Sequence, residues 1–140
     1  MRSKRNDKPQ FNVVIFYEDG NAGKRAKDFY DTVIRQFEGE CDFNLELWHF
    51  QIIAIPEIGD STAHAAARAD LVILSLHGKA ELTVEIRNWV EKWTRLIGDR
   101  DPALVALLDN PQKRGGTATS TLAYLRSLAR RHGVSFFGDI

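Results

Sequence analysis

Two carboxylates, Glu18 and Asp19, close an apolar run (VVIFY, residues 13–17) and stand just before a glycine-bearing turn with Gly20 and Gly23. A turn that carries a strand into a helix N-terminus is a natural anion site, because unpaired backbone N–H groups and the helix dipole point at the ligand. Here two acids occupy that turn, and they repel a phosphate. With Asp109, which ends a later apolar run, they would instead offer oxygen ligands to a hard divalent cation such as magnesium. Asp19 also has a structural use as the N-cap of the following helix. His77 directly follows the apolar run LVILSL and precedes Gly78 and Lys79, so it is the candidate for acid–base chemistry or ligand contact. The segment Lys113, Arg114, Gly115, Gly116, Thr117 combines two cations, two glycines and a helix start, which agree in sign for binding an anion. His49 has no Cys or His at a metal-ligand spacing, and no nucleophile elbow, dinucleotide fingerprint or phosphate-loop signature is present.

Positioning these groups requires a scaffold, and the hydropathy pattern supplies one. Residues 12–17, 71–76 and 103–108 are short apolar runs that read as buried strands. Phe43, Leu45 and Leu47 alternate with polar residues, as in a strand toward a sheet edge, and residues 134–137 form a fifth strand. Between them, residues 24–37 carry a 3.6-residue apolar stripe. A short alanine-rich helix capped by Asp60, Ser61 or Thr62 ends near Arg68. Residues 82–97 form a third helix ended by Gly98, and a last helix capped by Thr117, Thr119 or Ser120 runs through Arg131. Trp89 and Trp93 lie one turn apart on the third helix and read as core, with a partner surface as the rival reading.

Strand–helix alternation predicts a three-layer α/β domain: a doubly wound, five-stranded parallel sheet in order 2-1-3-4-5 with two helices on each face. Residues 1–10 read as a basic tail and residues 11–140 as the domain. The tail has no apolar stretch behind its charges, so it does not read as a secretory signal. Arg2, Lys4, Arg5 and Lys8 would be its contacts in the rival reading of a nucleic-acid arm. Over the whole chain 19 basic residues balance 19 acidic ones, so no net field recruits nucleic acid or a membrane surface. A single cysteine, Cys41, excludes an internal disulfide and fits a cytoplasmic setting.

In pattern and order the chain resembles a shortened flavodoxin. VVIFYEDGNAGKRAKDFYD corresponds to a strand, phosphate loop and helix, ADLVILSLHGKAELTVEIRNWVEKW to the third strand, second flavin loop and helix, and NPQKRGGTATST to the third flavin loop. That resemblance implies FMN at the carboxyl ends of strands 1, 3 and 4. Yet no Ser or Thr lies between Glu18 and Lys24, and no Phe, Tyr or Trp lies in 77–83 or 110–121, leaving Trp48 as the nearest large ring. The chain also resembles response-regulator receiver domains, which keep magnesium-binding acids where Glu18 and Asp19 stand. Where such domains carry the phosphoacceptor aspartate this chain has Ser75, and Phe136, Phe137 and Gly138 stand where they carry a lysine. A serine cannot form the acyl phosphate.

The expectation is therefore a small flavodoxin-like binding or regulatory module, receiver-like without a phosphoacceptor, non-catalytic and without a cofactor. Its partner would be a protein or a second copy of itself, as a homodimer through the third or fourth helix if Trp89 or Trp93 is exposed. The alternative is a protein that binds FMN or a nucleotide phosphate through loops 18–24, 77–81 and 110–119.

Overall fold

A computed structural model of the chain describes residues 8–37, 39–77, 81–108 and 116–138. Ten elements follow in order: β1 (Gln10–Tyr17), α1 (Gly20–Gln36), β2 (Asp42–His49), α2 (Phe50–Ile53), α3 (Pro56–Arg68), β3 (Leu71–Leu76), α4 (Val84–Arg95), β4 (Ala103–Leu108), α5 (Gly116–His132) and β5 (Ser135–Gly138). The strands form one all-parallel sheet in the order β2-β1-β3-β4-β5. This is the expected α/β arrangement of a flavodoxin-like fold. β3 is buried along its whole length and β4 along nearly all of it, which is why both are continuous apolar runs.

The helices are not shared two and two between the faces. Val14, Phe16, Val72, Leu74, Leu104 and Ala106 pack with side chains of α2, α3, α4 and α5, whereas Val13, Ile15, Ile73, Val105 and Leu107 pack with Ala26 and Tyr30 of α1. The cause is topological. A right-handed crossover places its helix on a face fixed by the direction of the step. The step from β1 to β2 runs one way along the sheet, and the three later steps run the other way. α1 therefore covers one face without another described helix beside it, and Leu47 and Phe137 on that side are 43% and 50% exposed.

The expected Asp19 cap of the first helix is present, whereas the starts of α3 and α5 differ from expectation. α1 begins at Gly20 because the Asp19 carboxylate accepts from the Ala22 N–H at 2.8 Å, and this cap offsets the poor helix propensity of the two glycines. α3 begins at Pro56, so Asp60, Ser61 and Thr62 lie inside it and do not cap it. α5 begins at Gly116, so Thr117, Thr119 and Ser120 also lie within a helix. Gln10 belongs to β1, and Pro9 O accepts from the Asp42 N–H, so the sheet begins inside the span expected to be tail.

Trp89 and Trp93 are core, at 4% and 0% exposure, so neither is the surface anchor on which a dimer through this helix would depend. Trp89 stacks edge-on against Phe16, and its Nε1–H donates to Thr62 Oγ1 at 3.1 Å. That hydroxyl in turn donates to Gly59 O. This buried relay ties α4 to α3.

Candidate functional site

The carboxyl ends of β1 and β3 lie side by side because Tyr17 pairs with Ser75. The ladder continues one step further, with Glu18 N–H donating to Ser75 O at 3.1 Å. The residues just past the two strand ends, Glu18 and His77, consequently meet. One Glu18 carboxylate oxygen accepts from the His77 backbone N–H at 2.9 Å, and the other lies 3.0 Å from His77 Nε2. Both side chains are 24% exposed. A carboxylate that holds both the backbone and the ring of the same histidine fixes the start of the loop after β3.

Asp19, although adjacent, turns away from this pair to cap α1. Glu18 and Asp19 thus serve different partners. Asp109, the third acid of the expected cation site, lies outside the described residues, as do Lys113, Arg114 and Gly115 of the expected anion loop and Gly78 and Lys79 beside His77. Gly116 and Thr117 are the first two residues of α5. Residues 1–7, which hold three of the four basic residues of the tail, also lie outside.

Ser75 is fully buried, and its Oγ–H donates to Ala22 O at 2.7 Å. The hydroxyl binds β3 to the first turn of α1 and faces a carbonyl, not solvent. Arg25, in the second turn of α1, donates from Nη2 to Leu76 O at 3.0 Å, a second tie between α1 and the end of β3. Sequence reasoning missed Arg25, since one cation on the polar side of an amphipathic helix is unremarked by spacing. The signal is its place near the start of α1, at the sheet edge where strand carbonyls end.

His49 is committed as well. Its Nδ1 accepts from Gln51 N–H at 3.0 Å, which caps α2 and assigns the ring proton to Nε2 in the neutral form. His64 Nδ1 lies 2.9 Å from Asp60 O, within α3.

The resolved shifts in acidity lie away from this edge. Burial, followed by its hydrogen bond to Glu91 (Oη to Oε2, 2.8 Å), pushes the Tyr124 phenol well above its ordinary value, between α4 and α5. Tyr124 lines a surface cavity of about 200 Å³ with Glu81, Leu82, Arg87, Ser120 and Thr121. Burial also raises Tyr30. The Lys92 ammonium, bonded to Asp60, holds that carboxyl below the usual range. Among the described residues no three His, Cys, Asp or Glu side chains are grouped to hold a metal ion, and no helix is long and apolar enough to cross a membrane.

The fold and this edge define a flavodoxin-like α/β domain in which Glu18, Asp19 and Ser75, at the ends of β1 and β3, are engaged with His77 and the start of α1. Comparison of the chain with protein-family models, with curated proteins and with solved structures finds no match.

Proposed function

We propose that this chain is a non-catalytic binding or regulatory module that works through its surface, with a protein or a second copy of itself as partner. The observation that carries the reading is the commitment of Ser75: its hydroxyl, at the place of a receiver's phosphoacceptor, is buried and donates to Ala22 O. The neighbouring acids support it. Glu18 is engaged by His77 and Asp19 by the start of α1, so accepting magnesium or making room for a phosphate would break contacts that organise the edge. The reading needs neither FMN nor magnesium. Cys41 as the sole cysteine favours a reducing, cytoplasmic setting.

Two measurements test it. Incubation with acetyl phosphate and magnesium, followed by intact-mass spectrometry, is expected to show no acid-labile phospho-adduct. Titration with FMN followed by flavin fluorescence is expected to show no submicromolar binding. A stable adduct would restore a signalling phosphoacceptor elsewhere on the chain. Tight FMN binding would establish the flavin alternative and require a ring such as Trp48 to reach the nucleotide.

A further inference from the structure

β2 ends the sheet and is its longest exposed edge, eight residues against four for β5 at the opposite side. Exposed edges in natural proteins are usually blunted by lysine, proline or a bulge. β2, DFNLELWH, contains neither Lys, Pro nor Gly, and it pairs with β1 without a break in register from Asp42 to His49. The direction of its free backbone groups follows from one bond. Asp42 N–H donates inward to Pro9 O, and in a parallel pair alternate residues turn both N–H and C=O to the same side. Asp42, Asn44, Glu46 and Trp48 therefore face β1 with their backbone groups, whereas Phe43, Leu45 and Leu47 direct theirs outward.

We propose that this edge is a self-recognition surface, on which a second copy of the chain adds its own β2 antiparallel about a two-fold axis through Leu45. This deepens the reading of the chain as a binding module. Centred there, Leu45 pairs with Leu45 and Phe43 with Leu47 of the second copy, so the outward residues exchange about six backbone hydrogen bonds. The side chains of those residues lie on the α1 face, where Leu47 is 43% exposed and Phe43 and Leu45 are half-buried. The paired strands would cover them with one another.

Charge selects this register over its neighbours. With the axis at Leu45, Glu46 faces the neutral Asn44 of the second copy and Asp42 faces Trp48. Moved to Asn44, the axis sets Asp42 against Glu46, and moved to Glu46 it sets that acid against itself. Like charges directly opposite destabilise an antiparallel pair. The strand thus matches itself in hydrogen-bond direction, apolar face and charge in one alignment.

The test is sedimentation or light scattering of the full chain from micromolar to hundreds of micromolar, for the natural sequence and two substitutions at the exposed Asn44. Asn44→Glu places acids opposite one another twice per dimer and is expected to weaken association about tenfold. Asn44→Lys, which places an ammonium opposite Glu46, is expected to strengthen it. Thermal melts confirm that each variant is folded. As a measure of register that does not depend on affinity, Asn44→Cys and Glu46→Cys are made separately on a Cys41→Ser background. They are expected to cross-link when mixed under oxidation and not when oxidised alone. A chain that stays monomeric, a dimer indifferent to both charges at position 44, or cross-linking of either cysteine variant alone overturns the proposal. None of these results bears on phosphate or flavin, so the reading as a non-catalytic module would fail only by its own measurements.

Discussion

Replacing Ser75 tests whether the end of β3 is a silent phosphoacceptor site or a structural joint. Its side chain is fully buried and its only described hydrogen bond runs 2.7 Å to Ala22 O. Ser75→Ala removes that bond with little change in volume, at a cost of about 1 kcal/mol. Ser75→Asp places a carboxylate, which only accepts hydrogen bonds, against a carbonyl oxygen in a dry site. An uncompensated buried charge of this kind costs about 3–5 kcal/mol, a large part of the 5–15 kcal/mol available to a typical domain. In thermal denaturation the two variants are expected to melt roughly 3 °C and roughly 10–15 °C below the natural chain. The aspartate variant should also recover relative stability on acidification. Burial raises the folded-state pKa of the introduced carboxyl above its unfolded value, so the protonated form is the better tolerated one and the penalty grows as pH rises. Melting curves by circular dichroism at pH 7 and pH 4 read both effects. If Ser75→Asp melts within about 1 kcal/mol of Ser75→Ala at neutral pH, the position is open to water and the structural account of Ser75 is wrong.

Tyr124 carries a pH dependence at the alkaline end. Its folded-state pKa is raised, first by burial and then by Glu91, so the unfolded chain releases this proton sooner than the folded one. The stabilisation is complete below the ordinary tyrosine pKa of about 10 and is lost as pH climbs toward the raised folded value. Denaturant unfolding followed from pH 8 upward is expected to show a shallower alkaline loss for Tyr124→Phe than for the natural chain, and an identical slope would refute the assignment. At Gly59, an added Cβ would overlap Ile53 O, a backbone atom. Gly59→Ala is therefore expected to destabilise the chain by about 1–3 kcal/mol through separation of α2 from α3, and an unchanged urea midpoint would show that the helices move apart freely.

The strands were the most legible part of this sequence because burial on both faces leaves an unbroken apolar run. Leu71–Leu76 and Ala103–Leu108 are bounded in the structure as their hydropathy predicts. Helix starts were less legible wherever a local preference was overridden. At α1 the two signals compete, since Gly20 and Gly23 weigh against a helix and Asp19 favours one, and the cap prevails. Ile55 caps α3 without any side-chain hydrogen bond, so Asp60, Ser61 and Thr62 mark no helix start, and Pro56 at the first helical position is the residue that does. Of the candidate site, the cap by Asp19 could be read from its spacing to the helix. The union of Glu18 with His77 could not, because it joins residues 59 apart and depends on the register that sets Tyr17 beside Ser75. Strand order brings the two ends to the same edge, but only register decides that these two side chains touch.

The distribution of helices carries the same lesson in the opposite direction, since it follows from the strand order once handedness is applied. Order 2-1-3-4-5 contains one step to one side and three to the other, and right-handed crossovers convert that count into one crossover against three, which here is α1 against α2, α3, α4 and α5. An expectation of two per face is incompatible with that order unless a crossover is left-handed. The chemical consequence lies in the outer strands. On the face with four helices, the inward residues of β3 and β4 are sealed by Trp89, Trp93, Leu125 and Leu128, all nearly inaccessible. On the other face α1 contributes Ala26 and Tyr30 to the cluster over β1, β3 and β4, while Leu47 of β2 and Phe137 of β5 remain about half exposed. Those exposed residues are therefore not scattered apolar side chains of the kind every surface carries. They mark the two margins of a sheet whose cover is set by chain direction, and the longer margin is β2, with its outward backbone groups and its apolar row on the same residues.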